Sequence, residues 1–181
     1  IFAQSLADRR VLLVGFGGVG KAIAARLAPF EVELTAVATS ARVEAGVEVH
    51  PLAELQTLLP EAEIVIVSLP LSEATTRIVD DAFLSAMRPG ALLVNVGRGT
   101  LVDTDALIAH ASAGRIRAAL DVTDPEPLPD GHPLWSTPGV LIAPHVGGAT
   151  SAMVPRMARL IHAQAERMIR GEAPLNVVLR T

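Results

Sequence analysis

The 181-residue chain is long enough for one domain with a substantial core, and because 50% of it is hydrophobic but only 3% aromatic, Ala, Val, Leu and Ile must fill that core. A net charge of −4, with basic residues scattered along the sequence, points away from nucleic acid or an anionic membrane as the main partner. The lack of cysteine removes disulfide and thiol chemistry, and five histidines without ligand-like spacing predict no metal site.

The first element is an apolar run over residues 11–14, followed at once by Gly15-Phe16-Gly17-Gly18-Val19-Gly20 and a good helix former over 21–28. That order suits a dinucleotide phosphate. Gly15 permits the tight turn off a strand, Gly17 lets backbone approach a pyrophosphate, and Gly20 lets the helix lie close to the strand. The helix N-terminus then offers unpaired N–H groups to the anion. Further strand-length runs over 34–38, 64–68, 92–96, 118–122 and 140–143 are nearly continuous in apolar residues, as parallel strands covered on both faces require. Helix-like segments over 51–59, 81–87 and 103–113 separate them, the last with a start signal at Asp103 or Thr104 and a stop at Gly114. The alternation predicts an α/β fold, a doubly wound parallel sheet of Rossmann type. Five prolines between 124 and 138 forbid regular structure and predict a long ordered loop. A last helix is predicted over 149–170, with Pro155 near its start and Gly171 and Pro174 ending it. No apolar stretch is long enough to span a membrane and no signal peptide is visible, so a cytoplasmic location is expected.

Ligands of open parallel sheets sit beyond the carboxyl ends of the strands, and polar residues gather there. Arg98, between Gly97 and Gly99, follows the fourth run and suits a carboxylate, which a guanidinium grips through two parallel bonds. Asp121 ends the fifth run, with Glu126 in the proline loop, and His145 follows the sixth, ahead of Gly147 and Gly148. A carboxylate beside an imidazole makes an acid–base unit that works near neutral pH. His50, His110, His132 and His162 lack such a setting. His110 and His162 are expected on helix surfaces, His132 in a structural role, and Trp135 packing the loop.

These pieces together resemble the nucleotide-binding domain of the D-isomer-specific 2-hydroxyacid dehydrogenases, the group of glyoxylate/hydroxypyruvate reductases and phosphoglycerate dehydrogenases. The resemblance rests on the glycine fingerprint, Ser68-Leu69-Pro70-Leu71 with Ala74-Thr75, Asn95-Val96-Gly97-Arg98-Gly99, Leu120-Asp121-Val122 with Glu126-Pro127, His132-Pro133-Leu134-Trp135, and Pro144-His145-Val146-Gly147-Gly148-Ala149-Thr150. Residues 171–178 look like the family's usual end. The resemblance implies an NAD(P)-dependent oxidoreductase that interconverts a D-2-hydroxyacid and a 2-oxoacid by hydride transfer. Arg98 would bind the substrate carboxylate and polarise its carbonyl, His145 would give or take the proton, and Glu126 would hold His145 in its charged form. Asp121 would bond the nicotinamide carboxamide. The backbone of Phe16, Gly17, Gly18 and Val19 would cradle the pyrophosphate, with Leu69, Pro70, Thr75, Val96, Gly97, Gly147 and Gly148 completing the cofactor site. The expected partners are a small 2-oxoacid or 2-hydroxyacid and a second copy of the chain in a homodimer.

Three departures from the family pattern matter. NAD-specific members carry an acid after the second strand, to bond the ribose 2′-hydroxyl; here Thr39, Ser40 and Arg42 stand there, and Glu44 is read as too far along. Hydroxyls and a guanidinium welcome a 2′-phosphate, so the cofactor is NADP or NAD, with NADP favoured. Thr123 replaces the aromatic residue common after Asp-Val. Finally, only ten residues precede Val11, so residues 1–181 are expected to be the NAD(P)-binding domain alone, with the family's N-terminal substrate domain absent. A second class of function is a nucleotide-sensing, corepressor-like binding protein on the same fold. A formate dehydrogenase-like reading is weaker, since that branch carries Gln where Glu126 stands.

Overall fold

The computed structural model describes residues 5–177, which part into two compact units between Pro144 and His145.

The first unit is built on an eight-stranded sheet: β1 (Arg10–Val14), β2 (Glu33–Ala38), β3 (Arg42–Glu44), β4 (Val47–Pro51), β5 (Ile64–Val67), β6 (Leu92–Asn95), β7 (Arg117–Leu120) and β8 (Val140–Ile142). The spatial order is β3-β4-β2-β1-β5-β6-β7-β8, and every pairing is parallel except β3 with β4. The chain runs outward from β1 to β2 and then starts again on the other side of β1 with β5. That reversal places the topological switch point at the β1/β5 carboxyl ends. Helices α1 (Gly18–Leu27), α2 (Leu55–Leu58), α3 (Asp81–Ala86) and α4 (Thr104–Ser112) connect the strands.

The core follows from the period-2 alternation of side chains along each strand. Leu12 and Val14 of β1 join Val65, Val67, Phe83, Leu84, Leu93 and Leu107 on one face of the sheet. Val11 and Leu13 join Phe16, Ala24, Ala36, Val47, Val49 and Ile66 on the other. Asp80 and Asp103 cap α3 and α4 through bonds from Phe83 N and Ala106 N at 2.8 and 3.1 Å.

The sequence reading is corrected at three places. Six strands were expected and eight are present, because Arg42–Glu44 and Val47–Pro51 form a hairpin, of which β4 pairs parallel with β2. Only alternate residues of β4 are buried, so it lacks the continuous apolar run of its neighbours. The helix expected over 51–59 is reduced to α2, one turn flanked by 3₁₀ segments, with Pro60 in the one that follows. His110, expected on a helix surface, has a side chain only 11% exposed, its Nε2 lying 2.9 Å from Asp81 Oδ1. It bridges α4 to the start of α3.

The proline loop carries one 3₁₀ segment, Pro133–Ser136. His132 Nδ1 accepts from Leu134 N at its start, and Trp135 Nε1 donates back to Pro129 O at 3.0 Å, so both hold the loop on itself. The second unit consists of the turn from His145 and α5 (Met153–Ile169), with Pro155 in its first turn. Of the segment read as the family's usual end, Val178 lies outside the described residues. No helix among the described residues is long and apolar enough to cross a membrane, and they contain no His/Asp/Glu group that could hold a metal ion.

Candidate functional site

The glycine turn carries the geometry its spacing predicts. Gly15 has φ 108°, and a Cβ there would lie 2.9 Å from the Ser68 carbonyl carbon, so β1 and β5 leave no room for a side chain. Ser68 Oγ donates to Gly15 O at 3.0 Å and ties the two strand ends together. A Cβ on Gly20 would lie 2.2 Å from Gly15 O, so α1 rests directly on the turn. At Gly17 the opposite holds: a Cβ would meet nothing within 4 Å. Gly17 is also the N-cap of α1, which has no side-chain cap and no acid in its first turn. The first N–H groups of the helix therefore face the open side of Gly17, where an anion can take them.

Beyond the turn lies an open groove of about 540 Å³, lined by Gly17, Gly18, Val19, Ser68, Leu69, Pro70, Leu71, Val96, Gly97 and Arg98. Three strand ends, those of β1, β5 and β6, thus supply one surface. Val19, Leu71 and Val96 expose their apolar side chains there, beside the backbone of four glycine and proline positions. An apolar wall next to uncapped N–H groups suits a ligand with flat rings and a central phosphate. Thr75 does not line this groove: its buried hydroxyl donates to Pro70 O at 2.7 Å and accepts from Ser72 N at 2.8 Å, which fixes the Leu69–Pro70 segment.

Arg98 lines the groove because Asn95 holds its turn there. Asn95 is fully buried; its Oδ1 accepts from Gly97 N at 3.0 Å and its Nδ2 donates to Arg98 O at 2.9 Å. The Arg98 side chain is exposed, with Nη1 donating to Gly97 O. Gly99 then runs against the exit of β7, where a Cβ would overlap Thr123 O at 1.8 Å. That close approach brings the Arg98 turn beside the segment leading to Glu126. Thr104 Oγ1 fixes the same segment by donating to Asp124 O at 2.8 Å. Asp121 N donates to Asn95 O at 3.0 Å, which places Asp121 at the end of β7 alongside β6. His145 opens the second unit, in a left-handed conformation with φ 53°, and is exposed along with Gly147 and Gly148.

After β2, Thr39 and Ser40 are exposed, and Arg42 is held rather than loose. Its Nε donates to Glu44 Oε2 at 2.8 Å, its Nη1 to Ser40 O at 3.0 Å and its Nη2 to Phe16 O at 3.4 Å. Glu44 also takes Lys21 Nζ at 2.5 Å. The hairpin folds Glu44 back onto Lys21 in the first turn of α1, a contact that its distance along the sequence did not suggest. Hydrogen bonds from Lys21 and then Arg42 hold its carboxyl below the usual carboxylate range. Lys21, Glu44, Asn95 and Gly99 were not assigned roles from sequence. Lys21 directly after Gly20 was the visible signal for the first. The others depend on approaches between distant segments.

Comparison with known proteins adds a family. Residues 1–147 match the D-isomer specific 2-hydroxyacid dehydrogenase, NAD binding domain. Over 172 residues the chain is 37% identical to a glyoxylate reductase of Thermofilum pendens, covering 93% of this chain and 51% of that protein. A D-isomer specific 2-hydroxyacid dehydrogenase from Xanthobacter autotrophicus Py2, solved in complex with NADPH and MES, superposes with a TM-score of 0.88 at 36% identity, over 99% of this chain and 74% of that one. The NADPH-dependent glyoxylate/hydroxypyruvate reductase of Sinorhizobium meliloti, solved with NADP and sulfate, gives a TM-score of 0.88 at 27% identity, over 98% of this chain and 58% of that one. The chain spans about half the length of the curated relatives it matches.

Proposed function

The chain belongs to the D-isomer specific 2-hydroxyacid dehydrogenase family, whose NAD-binding domain it carries, and from that premise we propose that it is the cofactor-binding part of an enzyme interconverting a small 2-oxoacid and its D-2-hydroxyacid. The observation that carries this reading is the pairing of an open Gly17 and uncapped α1 N-terminus with a groove that ends on Arg98. When bound, the nicotinamide cofactor supplies or accepts the hydride. The residues of the chain do the rest. The backbone of Phe16 to Val19 holds the pyrophosphate, Leu69, Pro70, Val96 and Gly97 wall the groove, and Asp121 orients the carboxamide. Arg98 binds the substrate carboxylate and draws electron density from the adjacent carbonyl. His145 delivers a proton to the carbonyl oxygen in reduction and removes it in oxidation, with Glu126 orienting its ring.

Glyoxylate and hydroxypyruvate are the first substrates to try, because the relatives named above include reductases of both. NADP(H) is favoured over NAD(H): the residues after β2 are hydroxyls and a cation, and two of the similar structures were solved with that cofactor. A second copy of the chain is proposed as partner in a homodimer, which light scattering would report as twice 18.9 kDa. The corepressor-like reading takes no support from these relatives. The test is direct. The 181-residue chain is titrated with NADPH and NADH by nicotinamide fluorescence, and the full-length protein is assayed for reduction of glyoxylate, hydroxypyruvate and pyruvate. Saturable binding with turnover supports the proposal; a chain that binds neither cofactor overturns it.

A further inference from the structure

The hairpin of β3 and β4 lies outside the fingerprint, yet it delivers a charged cluster to the glycine turn. Arg42 and Glu44 lie two residues apart on one strand and so project to the same side. Lys21 reaches the same carboxylate from the first turn of α1. Two cations and one anion therefore meet beside Phe16, whose carbonyl accepts from Arg42 Nη2 at 3.4 Å. Arg42 has five N–H donors, of which three are engaged among the described residues, on Glu44, Ser40 and Phe16. The guanidinium is thus oriented by Nε and by one bond from each terminal nitrogen, while one N–H of each terminal nitrogen is left for a ligand. Lys21 likewise spends one donor on Glu44.

We propose that Glu44 sets the cofactor preference of this site: its carboxylate holds Lys21 and Arg42 as a cationic fork beside the glycine turn, and competes with the 2′-phosphate of NADP(H) for both of them. The inference rests on the reading that the groove takes a nicotinamide dinucleotide. The physical case is a balance of charge. With Glu44 ionised the cluster carries a net single positive charge; without it the net charge is two. A 2′-phosphate is a strong multi-oxygen acceptor that both cations can grip, whereas a 2′-hydroxyl offers a neutral acceptor and gains little from either. Glu44 therefore weakens NADP(H) selectively and leaves NAD(H) nearly untouched, so the domain accepts both cofactors. Glu44 is a carboxylate at neutral pH, and the bonds from Lys21 and then Arg42 keep it charged further into acid than an ordinary one. The position is also one the fold can change cheaply, since Glu44 lies in an edge strand and outside the core.

The experiment is a fluorescence titration of the 181-residue chain with NADPH and with NADH at low salt, for wild type, Glu44→Gln, Glu44→Asp and Lys21→Met. Two partly exposed ion pairs are at stake, so Glu44→Gln should tighten NADPH by roughly three- to tenfold and move NADH by less than about twofold. Glu44→Asp keeps the charge and should return the ratio toward wild type. Lys21→Met should weaken NADPH and spare NADH. A thermal melt of each variant checks that the fold is kept, and a merely structural Glu44 would shift the melt and both affinities alike. An unchanged NADPH/NADH ratio in Glu44→Gln overturns the proposal, as does weaker NADPH binding. If the wild-type chain binds neither cofactor, the groove reading itself falls; if it binds both with a ratio insensitive to Glu44, only this inference does.

Discussion

Adding one methyl group to the glycine turn separates what the fold needs from what the ligand needs. In Gly20→Ala the new Cβ would lie 2.2 Å from Gly15 O, a backbone atom that cannot swing aside. Helix α1 must then lift by about 1 Å from a turn on which Ala24, with Ile23 and Leu27, packs. Overpacking of that kind costs about 1–3 kcal/mol or more, and the better helix propensity of Ala returns about 1 kcal/mol. A clash with backbone puts this case at the upper end of that range, so we expect a net loss of about 1–2 kcal/mol, which for a chain of this size lowers Tm by roughly 2–8 °C. In Gly17→Ala the new Cβ meets nothing within 4 Å, and the residue has φ −83° and extended ψ, which Ala accepts. The entropy gain of Gly→Ala and the poorer N-cap roughly cancel, so Tm should stay within about 2 °C. The methyl group would nonetheless stand where a pyrophosphate must approach, and dinucleotide affinity should fall by about tenfold to a hundredfold. Thermal melts by circular dichroism and NADPH titrations of both variants give the two readouts. A Gly17→Ala chain that binds NADPH as well as wild type would refute the placement of the pyrophosphate, and a Gly20→Ala chain that melts at the wild-type temperature would refute the packing argument.

Three further outcomes follow from named contacts. Asn95→Ala strands two backbone groups, Gly97 N–H and Arg98 C=O, in a fully buried setting, so stability should fall by about 2–4 kcal/mol, with Asn95→Asp intermediate because it keeps the acceptor; urea denaturation measures both. Glu63 accepts from Arg9 Nη1 at 2.6 Å and from Arg10 N, which lowers its carboxyl pKa below the ordinary 4.5. Its contribution is therefore present above that value and lost as pH falls through the folded-state pKa, so the stability gap between wild type and Glu63→Gln should narrow from neutral pH into acid; a gap constant with pH would contradict it. In the full-length protein, His145→Ala should chiefly lower kcat and Arg98→Ala should damage both KM and kcat, read from steady-state reduction of glyoxylate; full activity in His145→Ala would end the proposed proton transfer.

The parts of this site that sequence made legible are those whose physics is local. Gly15, Gly17 and Gly20 are spaced as such a turn requires, and the structure shows why Gly15 and Gly20 take no side chain. Strands β1, β5 and β6 announced themselves because burial on both faces demands continuous apolar runs. Asn95 was visible as a residue but not as a role, since its two bonds run to the backbone of a turn whose shape is known only once folded. Gly99 is similar: its need for no side chain comes from Thr123 O, twenty-four positions along the chain.

The hairpin shows why a charged cluster can be harder to read than a glycine turn. Its turn is Ala45-Gly46, both at positive φ, and Ala is an unusual residue for a conformation that Asn or Asp would have signalled. With the turn hidden, Arg42-Val43-Glu44 reads as an open loop and its two charges as independent. Once the chain reverses, β3 runs antiparallel to β4, β4 lies against β2, and Glu44 meets both Arg42 and a lysine twenty-three residues upstream. The glycine turn is set by steric exclusion at Gly15 and Gly20, which a glycine records in its own position. The Lys21, Arg42 and Glu44 cluster is a sum of charges, and a sum is not written at any one residue. On the role proposed for Glu44, cofactor preference would change by exchange of one partly exposed edge-strand side chain, with the glycine turn and the core left as they are.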